Sequence, residues 1–227
     1  MKFLCKKFIR QFLYCLIFLP LLFSCRQKTA AAYEISTPDS MAQQAMANRA
    51  FDAIGELEKS IKPGDLVTRT GNDFTSQSLR TLNRRDKTWS HCGIALIENN
   101  RVYVLHALGG EFNPDQKIRK DPFVVFAEPY SNKGIGVYRY NISTDGIEQL
   151  IGNAKKFYNE GILFDMEFNL TTDDRLYCSE FAWKSLQTPG SEISGITEST
   201  IKDFHFIGVD DLILHPKCSL VKTIVYK

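Results

Sequence analysis

The sequence predicts an α+β domain, because its strand-like runs cluster between helical ones without the regular alternation that builds a parallel sheet. Two strand candidates, His91 to Glu98 and Arg101 to Leu108, meet across Asn99-Asn100. Amphipathic helical stripes lie before and after them, and the run Leu220 to Tyr226 reads as a closing strand. About 200 residues beyond a short leader suffice for one domain with a substantial core. No internal repeat is present, and no low-complexity tract is longer than Ala30-Ala31-Ala32.

Residues 1–25 read as an export signal. Lys2, Lys6, Lys7 and Arg10 precede the apolar stretch Phe12 to Phe23, which is short for a membrane span. The ending Leu22-Phe23-Ser24-Cys25 resembles a bacterial lipobox, in which Cys25 is lipidated and becomes the new N-terminus; the alternative is a retained signal anchor. Either places the globular part outside the cytoplasm, and lipidation implies an exported lipoprotein of the cell envelope, anchored to a membrane through Cys25. Residues 26–61 are expected to form a tether and an N-terminal helix. Its start is at Thr37-Pro38-Asp39-Ser40, and it carries Ala45, Ala50 or Phe51, Ile54 and Leu57 at helical spacing.

The main domain is expected over residues 62–227. Lys62-Pro63-Gly64-Asp65 is turn chemistry before the strand Leu66 to Thr70. Val124 to Ala127 and Gly136 to Tyr140 are further strand candidates. Ser143-Thr144-Asp145 caps a helix with Ile147, Leu150, Ile151, Ala154, Phe157 and Tyr158 on one stripe, stopped by Gly161. A last helix opens at Tyr177-Cys178-Ser179-Glu180.

Charge narrows the function. Without the four basic residues of the leader, 24 Lys+Arg face 26 Asp+Glu, and no basic run left is longer than a pair such as Arg84-Arg85. Nucleic acid is therefore not an expected partner. Beyond the leader and Cys25, three cysteines remain: Cys92, Cys178 and Cys218. With no CxxC spacing they form neither a disulfide framework nor a structural zinc site, and an odd count outside the cytoplasm points to a free thiol. Cys178 is the candidate, because unpaired amides and the dipole at a helix N-terminus favour thiolate over thiol.

Hairpin geometry supplies a base. If Asn99 and Asn100 are the turn, Glu98 pairs with Arg101, Gly93 lies opposite His106, and His91 and His106 become diagonal neighbours on one face, roughly 7 to 8 Å apart at Cα or less. One imidazole can face Cys178 while the other orients it. Cys92, Ile94 and Leu96 point the other way, so Cys92 is expected to be buried structure.

These residues, in this order, carry a resemblance: Pro63-Gly64-Asp65 before a strand, Ser90-His91-Cys92-Gly93-Ile94, a strand ending His106-Ala107, then Asp165, Asp174 and Tyr177-Cys178-Ser179-Glu180. The chain resembles the permuted papain-like amidases of the YaeF/YiiX group, relatives of NlpC-type cell-wall peptidases in which the cysteine helix comes before the histidine strand. The resemblance covers roughly residues 62 to 227. It implies a circularly permuted papain-like fold, an antiparallel sheet or small barrel packed against helices, one of which carries the nucleophile. It also implies Cys178 as nucleophile and His91 as general base, in a cysteine amidase or peptidase that needs no cofactor or metal.

His106 falls where the group commonly has a glutamate. A histidine there is similar to the His-His-Cys set of lecithin:retinol acyltransferase relatives, which keeps acyl transfer or thioester cleavage open beside amide hydrolysis. The expected substrate is peptide-like, amino-acyl or acyl-lipid. A binding lipoprotein without turnover is the reading from another class.

The remaining candidates weigh less. Tyr177 and Asp165 are the oxyanion or substrate-contact candidates; otherwise Tyr177 simply packs, and Asp165, with Asp173, Asp174 and Arg175, shapes the approach loop or caps a solvated turn. Phe164, Phe168, Trp183 and Tyr158 read as core, and His205 and His215 as structural or surface residues. A zinc site from His91, His106 and Cys178 has suitable ligand types but no local metal spacing.

Overall fold

A computed structural model describes residues 37–110, 112–187 and 191–226. The leader, Cys25 and residues 26–36 of the tether lie outside the described residues. Ala42–Lys227 form one compact unit. No helix among the described residues is long and apolar enough to cross a membrane.

Helix α1 (Thr37–Glu58) starts where Thr37-Pro38 marks it. Ala50, Ile54 and Leu57 sink into the core with Ile61 after them, whereas Ala45 stays exposed, so only the C-terminal half of the expected stripe is used. The turn that follows holds Gly64 at φ +83°, a conformation that suits glycine. Gly64 N–H donates to the Ala95 carbonyl (2.9 Å) and Ala95 N–H to that of Asp65 (2.8 Å). The buried Asp65 carboxylate takes Lys62 N–H at 2.8 Å and the Arg139 guanidinium at 2.7 and 2.6 Å, a two-pronged pairing that satisfies both oxygens.

Strands β1 (Leu66–Gly71), β2 (His91–Glu98), β3 (Arg101–His106), β4 (Arg119–Pro122), β5 (Asn132–Tyr140) and the later β10 (Cys218–Val225) form one sheet in the order β10-β5-β1-β2-β3-β4. Every neighbouring pair is antiparallel. Of the two forms expected from sequence, the open sheet is found. The β2–β3 turn is as predicted: Asn99 and Asn100 take φ 51° and 60°, Glu98 pairs with Arg101 and Ile94 with Leu105, so Gly93 falls opposite His106.

One face of the sheet, with Val67, Ala95, Val102, Val104, Ile135 and Val137, is covered by Ile54 and Leu57 of α1 and by the short helix α3 (Phe123–Ala127). Helix α2 (Phe74–Leu82), joining β1 to β2, buries no residue. The opposite face, with Leu66, Cys92, Ile94, Leu96, Leu105 and Tyr138, is covered by α4 (Thr144–Glu160), α5 (Cys178–Leu186) and α6 (Val209–Ile213). Helix α4 begins and ends at the predicted signals: Ser143 Oγ accepts Gly146 N–H (3.1 Å), and Gly161 takes the left-handed cap at φ 68°. Two small ladders complete the chain, β6 (Leu163–Phe164) with β7 (Arg175–Leu176) and β8 (Ser199–Ile201) with β9 (Phe204–Phe206).

Val124 to Ala127 is not a strand. Phe123, Phe126 and Ala127 are buried while Val124 and Val125 are exposed, a one-and-three spacing that only a helical turn produces. Pro122, with no N–H to donate, ends β4 and serves as the N-cap of this turn.

Candidate active site

Four neighbouring strands place a row of polar side chains on the α3 face. Arg69 of β1 pairs with His91 of β2, and His106 of β3 pairs with Arg119 of β4, with Asp121 two residues further along the same strand and so on the same face. Gly93 makes room for the row: a Cβ there would meet the Leu105 carbonyl oxygen and Val104 Cγ1 at 2.6 Å and His106 Cβ at 2.8 Å. Any side chain at this position would have to displace one or more of these atoms, the His106 Cβ among them.

The two imidazoles meet edge to face. His91 Nε2 lies 2.8 Å from His106 Nδ1, with ring planes at 82°. His106 Nε2 lies 3.0 Å from Asp121 Oδ2, and Arg119 holds that carboxylate with Nη2 at 2.8 Å from Oδ2 and Nε at 3.3 Å from Oδ1. Phe126 of α3 packs against all of them: its ring centroid is 5.7 Å from that of His91, 5.0 Å from that of His106 and 4.6 Å from the Arg69 guanidinium carbon.

Cys178 arrives from the opposite face as the first residue of α5. Tyr177 is extended (φ −89°, ψ 173°), and the helix opens with Phe181 N–H donating to the Tyr177 carbonyl at 2.8 Å, leaving the amides before it for other partners. His91, the first residue of β2, and its neighbour Cys92 both interact electrostatically with the Cys178 thiol, and Cys92 shares the α5-face core with it. Cys178 is 8% exposed and His91 7%, whereas His106 is sealed.

The electrostatics favour a charged sulfur. The Cys92 thiol donating to Cys178, followed by the nearby His91, holds the Cys178 thiol well below the usual range, against the opposing effect of burial. Burial lowers His91, and the facing thiolate works against it. Burial also pushes His106 down to about 3, so it is neutral at physiological pH.

Sequence reasoning brought Cys178, His91 and His106 together, and the structure does the same. Two other candidates are placed elsewhere. The Tyr177 hydroxyl accepts Ile207 N–H at 2.7 Å, and its ring packs 4.8 Å from that of Phe168; it anchors the 207 segment and is not aimed at the thiol. Asp165 accepts Glu167 and Asn169 N–H at 2.8 and 2.6 Å, so it organises the loop that carries Phe168 and hydrogen-bonds to none of Cys178, His91 and His106. Cys92 is buried as expected, but its contact with Cys178 makes it more than packing. Asp121 and Arg119 were missed, because Arg119-Lys120-Asp121-Pro122 has no apolar alternation to mark it as a strand.

His205 and His215 bond at the surface, the latter 3.0 Å from the Ser194 carbonyl. Among the described residues no three His, Cys, Asp or Glu side chains converge to hold a metal ion, and the facing nitrogens of His91 and His106 are bonded to each other. A narrow apolar cleft of about 30 Å³ adjoins Cys178, lined by Leu79, Leu82, Phe168, Tyr177, Phe206 and Val209.

Behind the thiol, Glu180 is fully buried on α5. Its Oε2 accepts Tyr177 N–H at 3.3 Å, and Lys184 Nζ lies 3.1 Å from Oε1 without hydrogen-bond alignment. Burial raises its carboxyl to about 7, from 4.5. Between pH 4.5 and 7 the folded state therefore holds more protons than the unfolded chain, and stability contributed by this group falls as pH rises through that window, by about 3 kcal/mol in all. Glu180→Gln, which keeps an acceptor for Tyr177, is expected to lose this slope and to be the more stable form at pH 8. Urea unfolding of both proteins at pH 5 and pH 8 checks this; parallel pH dependence would show that Glu180 ionises normally.

A thiol at the N-terminus of a buried helix, facing an imidazole on an antiparallel sheet, defines a papain-like architecture, here with the histidine strand ahead of the cysteine helix. The chain belongs to the permuted papain-like amidase family YaeF/YiiX (C92), whose model matches residues 60–210. The uncharacterized protein YiiX of Escherichia coli strain K12 is 28% identical over 127 residues, which is 55% of this chain and 56% of that protein, so the match spans about half of that relative's length. The crystal structure titled metalloprotein yiiX, from Escherichia coli O157:H7, superposes with a TM-score of 0.58 at 19% identity, covering 72% of this chain and 98% of that one; the likeness is one of fold.

Proposed function

We propose that the protein is a cysteine hydrolase that cleaves amide bonds through an acyl-enzyme on Cys178. The observation that carries this is the line from the Cys178 thiol through His91 to His106, whose ring nitrogens stand 2.8 Å apart. The thiolate attacks the amide carbonyl and the oxyanion forms near the amides at the start of α5. His91, protonated, donates to the leaving amine; it then takes a proton from the water that releases the acyl group. Family membership supports the same chemistry.

The substrate class we favour is peptide-like, cell-wall-derived or lipid-derived, met at the cell envelope by a protein tethered through lipidated Cys25. What supports the location is the lipobox-like ending of the leader. His106 in the third position favours a second reading, acyl transfer from the same acyl-enzyme to an amine or alcohol instead of water. Added acceptors that divert product at the expense of hydrolysis would select it.

The test of the first reading is alkylation. Cys178 is expected to react with iodoacetamide at pH 6 to 7 far faster than free cysteine, and His91→Ala to remove the advantage. A thiol that reacts like free cysteine and ignores His91 would leave a binding protein on a papain-like scaffold. Metal analysis of the purified protein tests the zinc alternative, which requires a stoichiometric ion lost on Cys178→Ala.

A further inference from the structure

We propose that Asp121 is a positioning residue which fixes the tautomers of both histidines, so that the machinery is a line of four groups, Cys178–His91–His106–Asp121. The inference rests on the hydrolase reading for its consequence but not for its geometry. A neutral imidazole carries one N–H and one bare nitrogen, so of the two nitrogens 2.8 Å apart between His91 and His106, one donates and the other accepts. Nothing within the pair decides which does.

Asp121 decides it. Burial opposes ionisation of its carboxyl, but the hydrogen bonds from His106 and Arg119 outweigh burial and hold it below the ordinary range. An ionised carboxylate only accepts. The His106 nitrogen 3.0 Å from Asp121 Oδ2 must therefore carry the proton, which leaves Nδ1 bare. His91 then donates from Nε2 to that bare nitrogen, and its Nδ1 is free to receive the thiol proton. Arg119 holds the carboxylate at both oxygens, with contacts at 2.8 and 3.3 Å.

The opposite arrangement is inactive. With the proton on His106 Nδ1, His91 would accept at Nε2 and carry its own hydrogen on Nδ1, facing the thiol with a donor where a base is needed. A side chain that can donate at position 121 permits this reversal, which is why asparagine is the informative substitution. The geometry around it persists while the proton order changes. An aspartate-to-asparagine change that leaves an oriented catalytic histidine in the wrong tautomer lowers kcat by as much as roughly 10⁴-fold.

The charged and titratable groups around His91 are Cys178 ahead of it, Arg69 beside it, Arg119 across the row and His106 behind. Both arginines disfavour its protonation, so the imidazolium formed in catalysis depends on the thiolate in front and on the hydrogen bond to His106, which is held in turn by Asp121.

Nitrogen-15 NMR of the histidine rings reads the tautomers directly. In the wild type, His106 is expected to carry its single proton at Nε2, and His91 to carry a proton at Nε2 whether or not Nδ1 also holds the proton given up by the thiol. Asp121→Asn should move the His106 proton to Nδ1 and slow Cys178 alkylation at pH 7 by roughly 10²-fold or more, whereas Asp121→Glu restores the wild-type pattern in part. A wild-type His106 protonated at Nδ1 overturns the proposal without any variant. So does Asp121→Asn with unchanged tautomers and an unchanged alkylation rate. If instead the wild-type thiol is unreactive while the tautomers are as expected, the hydrolase reading fails and the assignment of Asp121 stands.

Discussion

Cys178→Ala is expected to lower kcat/KM for amide hydrolysis by at least about 10⁴-fold, and His91→Ala to fall within about one order of magnitude of it. The two groups form one unit: a thiol without its base and a base without its thiol each leave only binding and the helix amides to act. The double variant should therefore be scarcely worse than Cys178→Ala alone. Steady-state kinetics of the three proteins on one amide substrate measures this, with thermal unfolding beside it to confirm that each remains folded. Losses that multiplied would mean that Cys178 and His91 act independently, which the contact between them does not support.

The largest expected loss of stability comes from Phe126→Ala. Phe126 is fully buried in α3, contacts His91, His106 and Arg69, and its carbonyl accepts from Arg69 Nη1 at 3.0 Å. Truncating a buried phenylalanine costs about 3–5 kcal/mol, because transfer free energy is lost and the cavity closes only in part. For a domain of this size that lowers Tm by roughly 6–20 °C. The cavity would lie against both imidazole rings, so thiol alkylation should slow at temperatures where the variant is still folded. Phe126→Leu, which refills much of the space, should recover most of both. Urea denaturation and alkylation rates at 25 °C test the pair of effects; a stability loss without any change in alkylation would show that the rings are held by their hydrogen bonds alone.

Where the sequence was legible, a local rule and a tertiary need agreed. Asn99-Asn100 tolerates the two positive φ values of a tight turn, and that turn fixes the register that brings His106 beside His91. Ser143 and Gly161 bound α4 for equally local reasons. Legibility failed where charge or β-branching masked the element. Strand β4 opens with three charged residues at the edge of the sheet, so nothing in the sequence marked Asp121 as part of a strand. Val124-Val125 read as strand although the helical turn buries the phenylalanines on either side of them. Cys92 was placed on the correct face, but strand alternation alone does not show which helix start docks there. Tyr177 and Asp165 looked suited to the site by nearness in sequence, and their hydrogen bonds are spent on the 207 segment and the 165–169 loop.

The permuted order has a kinetic consequence. The β2–β3 hairpin closes from neighbouring residues and can form early, but the row on β1 to β4 meets Cys178 only after a helix far along the chain has docked. Until that contact forms, the thiol has neither His91 nor Cys92 beside it and carries the ordinary pKa of an unfolded cysteine. Reactivity is thus a late-folding property, and the alkylation rate of Cys178 during refolding would time the assembly of the site separately from the formation of the sheet.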